Sequence, residues 1–358
     1  MKKSPFLLQM TLFVGLWLTA CRPQPTPQLT SPPPTPAEVS VISTPTVTSP
    51  PEQPVTVIPL RGPLAGSSAE ISGLAWYGDH LILLPQYPER FGDVLFTLPK
   101  ADVLAFLDGD LNGPLEPLPI PFSTSGLTGD IQGCEGFEAL ATAQDRIFFT
   151  IEARGENGMM GYLVAGTIAA DLGEIRLDPT LLAELRPPAN LSNSSDEALF
   201  CTPEGPVTLY EANGINVNPA PVARRFAAET FAPQGDIPFP TIEYRITDAT
   251  ALDSHGRFWA INYFWPGDAA KLRPGPDVLA QRYGPGPTHA QSERVERLVE
   301  FQYSDAGITL VGTPPLQLQL LAGDDSRNWE GVVRLDERGF LLATDKYPDT
   351  ILGFVAYP

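Results

Sequence analysis

Five stretches of this 358-residue chain place two polar side chains, most of them acidic or amide, at similar distances around a pair of apolar runs. In NWEGVVRLDERGFLLATDKYP, Glu330-Gly331 opens an apolar run, DERG makes a charged turn, and a second run ends on Asp345. The same layout joins Ser72 to Gln86, Glu135 to Glu152, Asp196 or Glu197 to Glu211, and Asp248 to Asn262. If each pair of runs is an antiparallel hairpin, its second polar residue returns beside its first. Repetition about a common axis would bring both sets to one place. Several carboxylates crowded together cannot all stay ionised and unpaired, so some are protonated or a cation sits among them. Calcium tolerates a loose ring of carboxylate, amide and water oxygens. Zinc would call for histidine or cysteine, and this part of the chain has only His80, His255 and His289. The expected ligands of a Ca²⁺ ion are Glu135, Asp248, Asn262, Glu330 and Asp345. The competing reading has these acids capping turns, binding water or pairing with arginine.

A second candidate lies in the fourth unit. Its insertion, FWPGDAAKLRPGPDVLAQRYGPGPTHAQSER, carries Trp265, Lys271, Arg273, Arg282, His289 and Arg294. This is the densest basic stretch of an acidic chain. It reads either as a lid whose Lys271 and Arg273 receive an anionic substrate beside the metal, or as a surface loop offsetting nearby acids. The catalytic candidates are therefore Glu135, Glu330, Lys271 and Arg273. No G-x-S-x-G, C-x-x-C, P-loop or dinucleotide fingerprint occurs.

The elements that must position these residues are short alternating apolar runs broken at Gly, Pro, Asp or Asn, which is strand patterning. Helical periodicity is scarce, its best stretch being Leu181 to Leu185. After most hairpins come two further strand candidates, giving four strands per unit. The fifth unit lacks one, and VTVIPLRG at residues 55–62 can supply it. The expected fold is all-β, a single propeller over residues 60–358 with five four-stranded blades, closed by the N-terminal strand on the C-terminal blade. A sixth blade inside the long fourth unit is the alternative count, and a β-sandwich is the competing architecture.

The EGFEAL at Glu135 and the NWEGVVRLDERGFLLATDKY near the end resemble the hairpins of esterase-like and phytase-like bacterial propellers. They also resemble those of the related SdiA-regulated type and, more distantly, of the gluconolactonase group. The resemblance implies a channel Glu that holds a divalent metal together with Asn or Asp from other blades. By position that maps onto Glu135, Glu330, Asn262 and Asp345. Ser72 and Asp248-Ala249 depart from the Glu-Gly pattern, and the dense Arg/Lys cradle of a true phytase is not evident.

Residues 1–20 read as a signal peptide: Lys2 and Lys3, an uncharged and mostly apolar run, and Leu18-Thr19-Ala20-Cys21, which resembles a lipobox. That implies diacylation of Cys21 and a lipid anchor to the membrane, hence an extracytoplasmic place in a bacterial envelope. The competing reading is an ordinary signal peptide or a signal anchor. Residues 21–59 are a Pro/Thr-rich stalk whose composition cannot bury a core. Without residues 1–20 the chain holds 21 basic and 42 acidic residues, a net charge of −21. Such a chain repels phosphates, so nucleic acid is not an expected partner. Cys134 and Cys201 sit in neighbouring units, where an oxidising compartment permits a bridge between them; two buried free thiols are the alternative.

The expected function is a monomeric envelope propeller with a calcium site at the channel mouth. It acts as a metal-assisted hydrolase of a phosphoester or ester. Alternatively it is a non-catalytic propeller with structural calcium, whose loops bind a small molecule, glycan or protein.

Overall fold

A computed structural model describes residues 50–66 and 69–358. The leader at 1–20, Cys21 and the stalk up to residue 49 lie outside the described residues.

The chain begins with two short strands, β1 (Glu52–Gln53) and β2 (Thr56–Ile58), and then lays down its sheets in sequence order. The first sheet is β3 (Ile71–Tyr77), β4 (His80–Pro85), β5 (Val94–Pro99) and β6 (Leu118–Ser123). The second is β7 (Cys134–Ala143), β8 (Arg146–Gly155), β9 (Gly158–Ile168) and β10 (Ile175–Leu185). A parallel contact of Phe122 with Ile175 joins these two edge to edge. The third is β11 (Asp196–Thr202), β12 (Gly205–Tyr210), β13 (Val222–Phe226) and β14 (Pro233–Pro238). The fourth holds β15 (Arg245–Ala249), β16 (Arg257–Phe264), β17 (Val295–Ser304), β18 (Gly307–Leu310) and β19 (Leu316–Leu318), with β1 added along β19. The fifth is β20 (Trp329–Leu335), β21 (Gly339–Thr344) and β22 (Leu352–Ala356), completed by β2 along β22. The chain is all-β, and its N-terminal strand closes the C-terminal sheet.

The first strands of the sheets stand in a ring: β3 beside β7, β7 beside β11, β11 beside β15, β15 beside β20, and β20 beside β3. This closed ring defines a β-propeller and rules out a two-layer sandwich. The core is accordingly divided into wedges between adjacent sheets. Phe122, Phe137 and Phe149 pack edge to face between the first two. Phe200, Phe258 and Phe301 fill the gap between the third and fourth.

Close approach within the ring explains the glycine of the first and fifth hairpins. A Cβ on Gly331 would lie 2.8 Å from the Leu74 side chain and 3.3 Å from the Gly73 backbone. A Cβ on Gly73 would meet the Leu140 and Ala139 backbone at 3.3 and 3.4 Å. Buried hydroxyls tie neighbouring strands together: Ser72 donates to the Phe137 carbonyl at 2.7 Å and Thr247 to that of Trp329 at 2.6 Å.

Several sequence expectations are corrected. Leu181–Leu185 is part of β10, because its apolar face joins Phe148 and Phe231 between sheets. Lys100–Asp108 is a helix, capped by Gly109 in the left-handed region, where no helix was expected. The fourth hairpin starts earlier than its Asp248: Arg245 and Ile246 already belong to the first strand of the fourth sheet. Cys134 and Cys201 are free thiols. They occupy opposite ends of neighbouring strands, Cys134 heading β7 and Cys201 next to last in β11, so no bridge joins them.

Candidate functional site at the channel mouth

Each first hairpin breaks register at an equivalent point: between Ile71 and Gly73, Phe137 and Ala139, Asp196 and Ala198, Ile246 and Ala249, and Trp329 and Gly331. The bulge frees Ser72, Glu138, Glu197, Thr247 with Asp248, and Glu330 from the ladder, and bulges re-aim side chains in this way. In the second hairpin the equivalent residue is therefore Glu138, not Glu135. The Glu135-Gly136 pair serves another purpose. Gly136 has φ +123, and a Cβ there would come within 2.8 Å of the Gln86 carbonyl, so only glycine lets β7 pass the first sheet. Glu135 itself sits on the rim in a forked pair with Arg154, at 2.8 and 3.3 Å. The repeated Glu-Ala-Leu at 138–140 and 197–199 is the signal that would have found Glu138.

The residue around which the acids gather is Arg245, at the head of β15. Its Nε donates to Glu211, its Nη2 to Glu197 at 3.1 Å and Glu330 at 3.4 Å, and its Nη1 to Asn328 at 3.1 Å. Asn328 donates in turn to Glu330 at 2.6 Å and Asp345 at 3.3 Å. On the far side, Gln86 donates to Glu138 at 2.9 Å.

One guanidinium does not neutralise this many carboxyls. Burial, with Glu152, Glu197 and Glu330 nearby, holds Glu138 well above the carboxylate range. Burial and Glu197 push Glu152 up to about 7. Burial also raises Glu197, against the pull of Arg245 and Lys271. Glu330 is raised well above its ordinary value by burial and by Asp345, with Arg245 opposing. Asp345 is raised by burial, with Lys346 opposing. Arg245 itself is driven up by Glu197 and Glu330 despite its burial.

The remaining candidates divide. Lys271 reaches the group, with Nζ 3.3 Å from the Asn193 carbonyl and 3.9 Å from Asp268; burial and Arg245 lower its pKa. Arg273, on the insertion, does not, its guanidinium being tied to the Asn216 carbonyl in the segment between β12 and β13. Asp248 is fully buried and accepts from the amides of Ala249 at 2.8 Å and Val332 at 2.7 Å, so it staples β15 to β20. Asn262 is equally enclosed: it accepts from Arg297 at 2.8 Å and donates to the Glu243 and Arg245 carbonyls. Glu330, Asp345 and Lys271 thus meet at the mouth, whereas Glu135, Asp248, Asn262 and Arg273 do not.

That distribution bears on calcium. The five expected ligands point to no common centre, and the described residues contain no group of three or more His, Cys, Asp or Glu placed to hold a metal ion. The position that a cation would take among the acids is filled by the Arg245 guanidinium, so the donor set does not fit a channel metal.

Above Arg245 opens a cavity of about 460 Å³ lined by Arg245, Tyr263, Asp268, Asp324, Asp325 and Asn328, with Trp265 and Tyr347 also in its wall. Trp265 and Tyr347 are 49% and 59% exposed.

No known family profile and no curated protein matches the chain. Solved structures with a similar chain path include three carbohydrate-related enzymes. The GH43 endo-arabinanase from Bacillus licheniformis is 10% identical, with 84% of this chain and 97% of that one covered and a TM-score of 0.45. An exo-beta-1,3-galactanase from Phanerochaete chrysosporium is 9% identical, with 84% and 64% covered and a TM-score of 0.48. A beta-1,2-mannobiose phosphorylase from Listeria innocua is 11% identical, with 84% and 90% covered and a TM-score of 0.42. Likeness this distant carries no argument about substrate or mechanism. The propeller is defined by the strand ring itself.

Proposed function

We propose that the channel mouth is a general-acid site acting on a carbohydrate, carried by a lipid-anchored propeller on the outer side of a bacterial membrane. The observation that carries this reading is Glu330. Its Oε1 takes both Asn328 and Arg245, which line the cavity, and no protein donor among the described residues reaches its Oε2. Burial and Asp345 raise its pKa, and a carboxyl that holds its proton more tightly beside a cavity is suited to proton donation to a leaving oxygen.

Charge argues for the substrate class. The expected phosphoester would meet Glu197, Glu330, Asp345 and Asp268, while Arg245 is already engaged by three carboxylates. An uncharged or cationic ligand suits the mouth better. Aromatic faces above carboxyl and amide acceptors suit the CH faces and hydroxyls of a sugar ring. Arg245 supplies the positive charge that the sequence reading gave to calcium.

The test is calorimetric titration of the full chain with soluble xylo-, arabino-, cello- and chito-oligosaccharides, alongside reducing-end release. Binding retained and turnover lost in Glu330→Gln supports the reading. Absence of binding to every glycan, under conditions where the chain is folded, would overturn it.

A further inference from the structure

We infer that the cavity beneath the insertion of the fourth unit is a second binding site, one that takes a flat neutral ring carrying an amide or lactam edge. The inference is independent of the carbohydrate reading. The two cavities are served by adjacent residues of the same segments: Tyr244, Phe264 and Ala269 line this one, and their neighbours Arg245, Trp265 and Asp268 line the mouth.

The floor is a row of polar side chains across the fourth sheet. Glu52 on β1 lies beside Gln317 on β19, Gln317 beside Arg297 on β17, and Arg297 beside Asn262 on β16. Leu316 and Leu318, on either side of Gln317, pack into the apolar wedge with Trp259 and Trp329. The Gln317 side chain therefore stands on the other face, under the insertion. Three members of the row are answered. Glu52 accepts from Thr288 and His289, and Arg297 grips Asp277 at 2.8 and 3.1 Å and donates to Asn262 at 2.8 Å. Gln317 is not. It is 1% exposed, its Oε1 has no donor, and no protein acceptor among the described residues takes its Nε2. A buried amide without partners is uncommon in a folded protein, and this one lines a cavity of about 380 Å³.

The same cavity has an aromatic wall. Tyr244 and Phe264 pack with ring centres 4.6 Å apart and a tilt of 31°. Tyr244 holds its ring there from a left-handed backbone, φ +74, which is costly for an aromatic residue, and such conformations gather at ligand sites. The buried charges of the lining are already engaged. Arg297 has Asp277, His289 has Glu52, and Arg294 donates to the Leu321 and Gly323 carbonyls at 3.2 and 2.7 Å. Glu293 stands exposed at the rim. The unanswered group is thus a neutral amide, which calls for a donor and an acceptor side by side. An amide or lactam edge supplies both, whereas a carboxylate brings no donor and an ammonium no acceptor. A flat ring behind that edge can lie against Tyr244 and Phe264.

The experiment titrates the full chain near neutral pH with nicotinamide and with uracil, followed by saturation-transfer NMR. Nicotinate and pyridine serve as the charged and the amide-free rings. Nicotinamide or uracil is expected to bind roughly ten-fold or more tightly than nicotinate and pyridine. Whichever of the two leads tells an exocyclic amide from a ring lactam. Gln317→Leu keeps the volume and removes the unpartnered amide, so it should leave the urea midpoint no lower and erase the preference while pyridine binding is unchanged. Ala280→Phe fills the cavity from the insertion and should abolish binding of all four. Equal affinity for the four rings, or a preference that survives either variant, would overturn the inference. So would failure of every ring to bind, which would mean that solvent alone satisfies Gln317.

Discussion

Arg245 and Glu211 are clasped twice, side chain to side chain and through the main chain, where the Ile246 amide donates to the Glu211 carbonyl at 2.9 Å. The pair links the third sheet to the fourth at the point where acids from the third and fifth sheets converge on the same guanidinium. Removing one partner of a buried ion pair leaves an uncompensated charge and typically costs about 3–5 kcal/mol. Arg245→Met should therefore lower stability by that order, measured by urea unfolding. The loss should be larger at pH 8 than at pH 5, because burial raises Glu330 and Glu197 and pushes Glu152 up to about 7, so fewer of these groups are ionised at the lower value. Adding Glu211→Gln should recover part of it.

Glu152 gives the clearest pH dependence. Its folded value of about 7 lies above the ordinary 4.5, so the fold favours the neutral form. Below pH 4.5 the group is protonated in both states and contributes no difference. As pH rises through the folded value, ionisation costs the fold up to about 3 kcal/mol. Glu152→Gln should accordingly raise the melting temperature by a few degrees at pH 8 and leave it nearly unchanged at pH 4. A calorimetric scan at both values checks this.

Gly331 tests the ring packing apart from the charges. Its added methyl in Gly331→Ala would press on Leu74 and on the Gly73 backbone. Overpacking of this kind costs about 1–3 kcal/mol. The urea midpoint should fall while the m-value stays constant.

The ring could be read from the sequence because it is built from repeated local signals. Period-2 hairpins, a small residue after a polar one and a missing last strand all survive without coordinates, and residues 56–58 do complete the final sheet. The second polar set was legible for the same reason: Gln86, Glu211 and Asp345 each directly follow a strand that returns to the mouth, and Glu152 lies near the end of β8. What was lost depends on contacts between sheets. Arg245 heads a strand in sequence, but its partners lie 34, 48 and 85 positions away. Alignment on Glu-Gly put Glu135 where Glu138 belongs, because Gly136 and Gly331 are small for different neighbours. Asp248 looked like a ligand because backbone amides from another strand, which satisfy it, leave no mark on its own segment.

The two thiols differ in environment. Burial pushes Cys201 up to about 12, and it also raises the half-buried Cys134, with the Gly136 amide opposing. Thiolate is the reactive form, so both should alkylate slowly in the folded protein. Mass spectrometry after alkylation in denaturant, without reductant, should find both residues modified. A Cys134–Cys201 bridge would leave both unmodified.

Glu52 fastens the N-terminal segment to the insertion of the fourth unit. It accepts from Thr288 through the amide at 2.9 Å and the hydroxyl at 2.8 Å, and from the His289 amide at 3.1 Å and Nδ1 at 2.7 Å. The Glu296 amide donates to His289 Nε2 at 3.2 Å, which fixes the proton on Nδ1. Burial alone would raise the Glu52 carboxyl, yet the His289 and Thr288 donors outweigh it and hold the group below its ordinary value. A depressed carboxylate stabilises the fold above its unfolded pKa, and that contribution is lost as pH falls through the folded value. Glu52→Gln should thus cost about 1–3 kcal/mol at pH 7. The difference between variant and wild type should close as the pH is taken well below the ordinary carboxylate range. Urea midpoints followed across that range measure it, and a variant as stable as the parent at pH 7 would show that β1 is held by its strand pairing alone.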